Sequence, residues 1–155
     1  MISFNGVSKF YNGTPALDSI NFKINPKEFV SLVGRSGAGK STIIKLLIGE
    51  EKPTKGRVVF GSYEVNKLRS NELSKLRRHI GIVFQDFRLI GGKTVYENIA
   101  FTMEAAGKSD AEIEEDVPHV LQLVDLSDKI WNFPKELSGG EKQRVAIARA
   151  LVNQP

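Results

Sequence analysis

The stretch GRSGAGKST, residues 34–42, combines glycines, a lysine and two hydroxyls at a spacing suited to a polyphosphate. It has the pattern G-x-x-x-x-G-K-S, fed by an apolar run and followed by an apolar helical pattern. Gly37 and Gly39 let the backbone curl, so that N–H groups along Gly34, Arg35, Ser36, Gly37, Ala38 and Gly39 point inward at phosphate oxygens. The helix that follows adds the partial positive charge of its N-terminus. Lys40 reaches the β- and γ-phosphates as a point charge. The Ser41 hydroxyl suits Mg²⁺, and Thr42 suits a hydrogen bond to phosphate. Such a loop calls for a nucleoside triphosphate. It names neither the base nor the use of the energy, so GTPase, kinase, helicase and transport ATPase all remain open.

A second glycine turn, LSGGEKQR (137–144), opens another helical pattern near the end of the sequence. Alone it is an anion site of modest specificity. Ser138 is a good helix cap by type, but capping does not explain why Gly139 and Gly140 follow it.

The elements that must position these turns are readable from periodicity. Alternating apolar and polar residues predict strands near 2–8 and 18–24, with turns at Asn12-Gly13 and Asn25-Pro26. Residues 29–33, FVSLV, are nearly all apolar, which predicts a strand at 28–33 buried on both faces of a parallel sheet. A helix is expected over 39–49, a strand over 56–61, a charged helix over 71–79 and a second buried strand over 80–86. From Phe87 to residue 136 the periodicity becomes helical. Ser109 and Glu112 form a capping-box pattern, and Pro118 should kink or restart the helix it interrupts.

The chain has 155 residues, 41% hydrophobic and 26% charged, as expected of one folded domain or a large piece of one. Its formal charge of +4 is spread along the sequence, which suits a solvated surface and gives no expectation of nucleic acid. There is no cysteine, hence no disulfide or thiolate metal site. No apolar stretch approaches the roughly 20 residues that cross a bilayer, and MISFNGVSKFY does not resemble a signal peptide.

With both glycine turns in this order, the chain resembles ABC-type ATPases along its whole length. Tyr11 lies where that family places an aromatic that stacks on adenine. Gln85, at the end of IGIVFQ, lies at the family's glutamine loop, a ligand of Mg²⁺. The resemblance implies an α/β fold: a P-loop NTPase core with an N-terminal antiparallel β portion and an inserted helical subdomain. It divides the chain into an ATP-binding core (1–86), a helical subdomain (87–136) and the signature turn with its helix (137–155).

In this family two subunits pair head to tail on ATP, and the signature of one meets the γ-phosphate held by the other. The resemblance therefore assigns Ser138, Gly139, Gly140 and Glu141 to nucleotide binding across a homodimer. It also implies a membrane partner docked beside the glutamine loop, on Phe87, Arg88, Leu89 and Tyr96. QDFRLIGGKTVYENIAF and NFPKELSGGEKQRVAIARALVNQP are similar to the FtsE-type cell-division subunits, whose partner is an FtsX-like integral membrane protein. The implied placement is cytoplasmic, on the inner face of the plasma membrane through that partner. Subunits of lipoprotein or macrolide export share much of the pattern. Soluble ABC proteins acting on DNA repair or ribosomes are a further class, marked by coiled-coil insertions or paired cassettes. The family's Mg²⁺ aspartate, general-base glutamate and switch histidine follow the signature helix, and nothing through Pro155 supplies them. His79 and His119 are no substitutes. The expectation is a partial cassette that binds ATP without hydrolysing it, with exposed strand edges where the C-terminal part of the core would pair.

Overall fold

The computed structural model describes residues 1–155, which pack as two compact units, Met1–Arg77 and Arg78–Pro155. In the first unit, β1 (Ile2–Tyr11) and β2 (Thr14–Ile24) form an antiparallel hairpin. The turn holds Asn12 at φ 50° and Gly13 at φ 82°. Two successive positive φ values define the hairpin turn whose twist matches that of the strands, and Asn-Gly is the pair best able to adopt it. β3 (Lys55–Phe60) and the short β4 (Tyr63–Glu64) complete a four-stranded antiparallel sheet in the order β2-β1-β3-β4.

Phe4, Val7 and Val58 point into the core, Phe4 and Val7 on one side because an irregularity between them, with Gly6 at φ 57°, breaks the strict alternation of β1. There they join Leu46 and Leu47 of α1 (Lys40–Leu47) and Val65. Phe4 stacks on Phe22 of the neighbouring strand with centroids 4.6 Å apart. α2 (Ser70–Arg78) buries Leu76. From α2, Arg77 donates to the carbonyls of Ile48 and Gly49 at 2.9 and 3.2 Å, satisfying acceptors that α1 leaves open at its C-terminus.

The second unit is helical. α3 (Val95–Ala106), α4 (Asp110–Leu123) and α5 (Gly139–Leu151) enclose a core that includes Ile99, Met103, Val117, Leu121 and Val145. Each helix begins with a capping box: Thr94 with Glu97, Ser109 with Glu112, and Ser138 with Glu141. Asn98 is fully buried, and its amide exchanges hydrogen bonds with Ile90, Lys93 and Thr94, fixing the loop before α3.

Two expected strands are corrected, and of the two outcomes expected at Pro118 the helix restart does not occur. Residues 28–33 and 80–86 form no strand, because no other strand lies alongside to complete a ladder. Phe29 is consequently 97% exposed and Val33 84% exposed. α4 runs through Pro118 without ending. Pro118 and Glu114 are both exposed, so the carbonyl that loses its helical donor faces water.

Candidate functional site

The phosphate-type loop belongs to the first unit. Gly39 caps α1 in the left-handed conformation, at φ 82° and ψ 4°. A Cβ at this position would collide with the Ala16 carbonyl oxygen and lie 2.7 Å from Leu17 Cδ2, both on β2. Only glycine therefore lets the loop run this close to the hairpin. Gly37, at φ 80°, makes the turn before it with open space around its Cα. Ala38 N–H donates to the Arg35 carbonyl at 3.2 Å and closes the loop.

α1 has no side-chain cap and no acidic residue in its first turn. The three capping boxes of the second unit place a carboxylate at their helix starts, whereas α1 keeps its N-terminal field unneutralised. Lys40 lies back along the loop, its ammonium donating to the Gly34 and Arg35 carbonyls at 2.7 Å each. An ammonium has three donors, so one remains for an incoming anion. Ser41 is exposed, and Thr42 is buried on the side facing Tyr11.

Tyr11 ends β1 and is 39% exposed. Burial, followed by the neighbouring Glu51 carboxylate, raises its phenol pKa, while the Thr42 hydroxyl acts in the opposite direction. The aromatic and the loop helix are thus brought together. Lys9 and Glu51, beside Tyr11, were not singled out from sequence. Lys9 could have been, since residues two apart on a strand share a face.

The remaining candidates belong to the second unit. Gln85 is exposed at the start of a turn over residues 85–88. Phe87 and Arg88 are both left-handed, at φ 57° and 46°. The Arg88 guanidinium lies 3.8 Å from the centroid of the Phe84 ring, and its Nε is 3.7 Å from Asp86. Leu89 and Tyr96 are partly buried against the helical core, and Tyr96 packs on Trp131 with centroids 5.2 Å apart. Packing within the unit accounts for these two side chains without a partner. Arg149 holds the Phe87 and Arg88 carbonyls, a role no motif announced.

At the signature turn, Ser138 Oγ accepts from Glu141 N–H at 3.3 Å and donates to the Glu141 carboxylate at 2.7 Å. Those contacts with Ser138 hold the Glu141 carboxyl below its ordinary pKa. Gly139 and Gly140 open α5 on an exposed face, with nothing within 4 Å of an added Cβ at either.

A profile of the ABC transporter family matches residues 17–155. The chain belongs to that family. The cassette is 54% identical to the cell division ATP-binding protein FtsE of Mycobacterium tuberculosis, covering all of this chain and 68% of the relative. It is 47% identical to the protein of the same name in Escherichia coli K12, covering all of this chain and 70% of the relative. Among solved structures it is similar to the dimeric cassette MJ0796, described in a post-hydrolysis state with ADP and Pi. That match has a TM-score of 0.91 at 38% identity, with all of this chain and 71% of the other covered. The cassette also matches cbiO1 of Clostridium perfringens, with a TM-score of 0.85 at 33% identity, over 99% of this chain and 62% of the other. The α/β P-loop architecture and the ATP-binding family are thereby established.

Proposed function

We propose that this cassette is the ATP-binding part of a cell-division ABC complex of the FtsE type, which works through an FtsX-like membrane partner. No helix is long and apolar enough to cross a membrane. The observation that carries the nucleotide reading is the start of α1. An uncapped helix, a left-handed glycine pressed against β2, and a lysine with one donor to spare converge there.

The β- and γ-phosphates would take the loop amides and Lys40, and Tyr11 would stack on adenine. Mg²⁺, when bound, neutralises charge on the phosphate oxygens. Ser41 offers it one hydroxyl. The side chains include no group of three or more His, Cys, Asp or Glu able to hold a metal. Mg²⁺ commonly takes several of its ligands from phosphate and water.

Ser138, Gly139, Gly140 and Glu141 would meet the nucleotide of a second copy. The dimeric MJ0796 cassette supports this reading. Phe87 and Arg88 are the better candidates for partner docking, since Leu89 and Tyr96 already pack inward. The resemblance assigns the general-base glutamate and switch histidine to sequence after α5. The 155 residues alone would then bind ATP without turning it over.

The test is nucleotide affinity of Lys40→Ala. Loss of a charge-assisted contact costs about 1.5–3 kcal/mol, so affinity should fall at least tenfold. An unchanged affinity would remove the site assignment.

A further inference from the structure

Lys9 is two residues before Tyr11 on the same face of β1, and its ammonium is held from two sides. Lys9 Nζ lies 2.8 Å from Glu51 Oε2 and donates to the Lys52 carbonyl at 3.0 Å. In that position it sits 5.0 Å from the centroid of the Tyr11 ring. Glu51 has a second cation, Lys45 of α1, with Nζ 3.6 Å from Oε1. The Lys9 side chain is only 16% exposed, whereas Tyr11 is 39% exposed. The ammonium therefore covers one side of the ring, which remains partly open to solvent. Lys9, followed by the Tyr11 hydroxyl, holds the Glu51 carboxyl below its ordinary pKa, so the carboxylate stays charged at neutral pH.

We propose that Lys9 and Glu51 are positioning residues for Tyr11. They fix the ring so that its open face is presented to the flat base of a nucleotide bound at α1. The proposal rests on the reading of Tyr11 given under Proposed function. The physical basis is preorganisation. A tyrosine at a strand end beside a turn has two side-chain torsions to order before it can stack, and ordering it in advance removes that cost from binding. A cation over the ring restrains both torsions. Glu51 joins that cation to α1 through Lys45, so the base platform and the phosphate site are registered on one rigid element. Neither Lys9 nor Glu51 belongs to the phosphate loop, so the expected effect of removing either falls on the base rather than on the phosphates.

The experiment compares affinities for ATP and for inorganic tripolyphosphate in Lys9→Met and Glu51→Gln, each checked by thermal denaturation. ATP affinity should fall about three- to tenfold in each, with tripolyphosphate affinity within about twofold of the parent. In a Tyr11→Ala background, Lys9→Met should change ATP affinity by less than about twofold. Lys9→Arg, which keeps the cation, should retain most of the ATP affinity. Equal losses for ATP and tripolyphosphate, or a loss that persists without Tyr11, overturn the proposal. If Tyr11→Ala weakens ATP but Lys9→Met and Glu51→Gln do not, the positioning role alone falls. If Tyr11→Ala leaves ATP affinity unchanged, the stacking reading falls and takes this proposal with it.

Discussion

Arg149, on α5, grips the turn at Phe87: its Nη2 donates to the Phe87 carbonyl at 2.8 Å, and Nη1 reaches the Arg88 carbonyl at the same distance. Both gripped residues have positive φ, a conformation that costs a non-glycine residue roughly 1–2 kcal/mol. Burial lowers the Arg149 pKa without any carboxylate to offset it. The fork of the guanidinium therefore spends two charge-assisted bonds on main-chain oxygens and holds the turn after Gln85 in a strained shape. That turn, which includes the proposed partner contact Arg88, is thereby tied to the helix carrying the signature.

Arg149→Ala should destabilise the chain by about 1.5–3 kcal/mol and speed amide exchange at residues 87–89. Arg149→Lys keeps a charge but not the fork, so it should recover less than half of the loss. Exchange rates unchanged in Arg149→Ala would show that the turn holds its shape without the clamp.

The two loop glycines should respond differently to alanine. Gly37→Ala meets no neighbouring atom and pays only for its positive φ, about 1–2 kcal/mol. Gly39→Ala pays the same and also drives a methyl into the Ala16 carbonyl. Its loss should exceed that of Gly37→Ala by at least about 1 kcal/mol, and α1 should shift from β2. Denaturant midpoints for the two variants decide it, and equal losses would contradict the close approach.

How far this could be read beforehand depends on where the signal resides. The Asn12-Gly13 turn, the hairpin and the loop glycines were legible because local backbone geometry dictates residue type. The Ser109–Glu112 box was legible for the same reason. The apolar runs at 28–33 and 80–86 were misread because such a run records a need for sheet neighbours. It does not record whether a strand lies alongside, and here none does. Arg149 left no trace because its partners are carbonyls 61 and 62 residues away. A main-chain acceptor places no constraint on side-chain identity. Lys9 and Glu51 meet only after β1 has passed alongside the segment following α1, so their pairing belongs to tertiary structure.

Acid should loosen the helical unit through Glu112. Its carboxylate accepts from Lys108 and from Ser109 at the start of α4, which lowers its pKa from 4.5 to about 2. A carboxyl depressed on folding stabilises above its unfolded pKa and loses that contribution as pH falls through the folded value. The loss should therefore develop between about pH 4.5 and 2. Glu112→Gln should remove this component, flattening the stability profile in that window. Parallel profiles for parent and variant would show that the carboxylate is not responsible.

The signature glycines should show opposite effects on stability and on function. Gly139 and Gly140 occupy the first two positions of α5, and an added Cβ at either meets nothing within 4 Å. Neither has a positive φ. Nothing in the fold of the chain requires glycine there, yet glycine is less favourable than alanine in a helix by about 0.8–1 kcal/mol. Gly139→Ala should accordingly stabilise the isolated chain, by up to about 1 kcal/mol. If another copy's nucleotide approaches these amides, the same methyl occupies the space that its γ-phosphate needs. In a version extended through the switch histidine, Gly139→Ala should weaken ATP-driven dimerisation while monomer affinity for ATP stays unchanged. Thermal denaturation and sedimentation with and without ATP read the two effects separately. Normal dimerisation by the stabilised variant would mean that the turn is a helix start and nothing more.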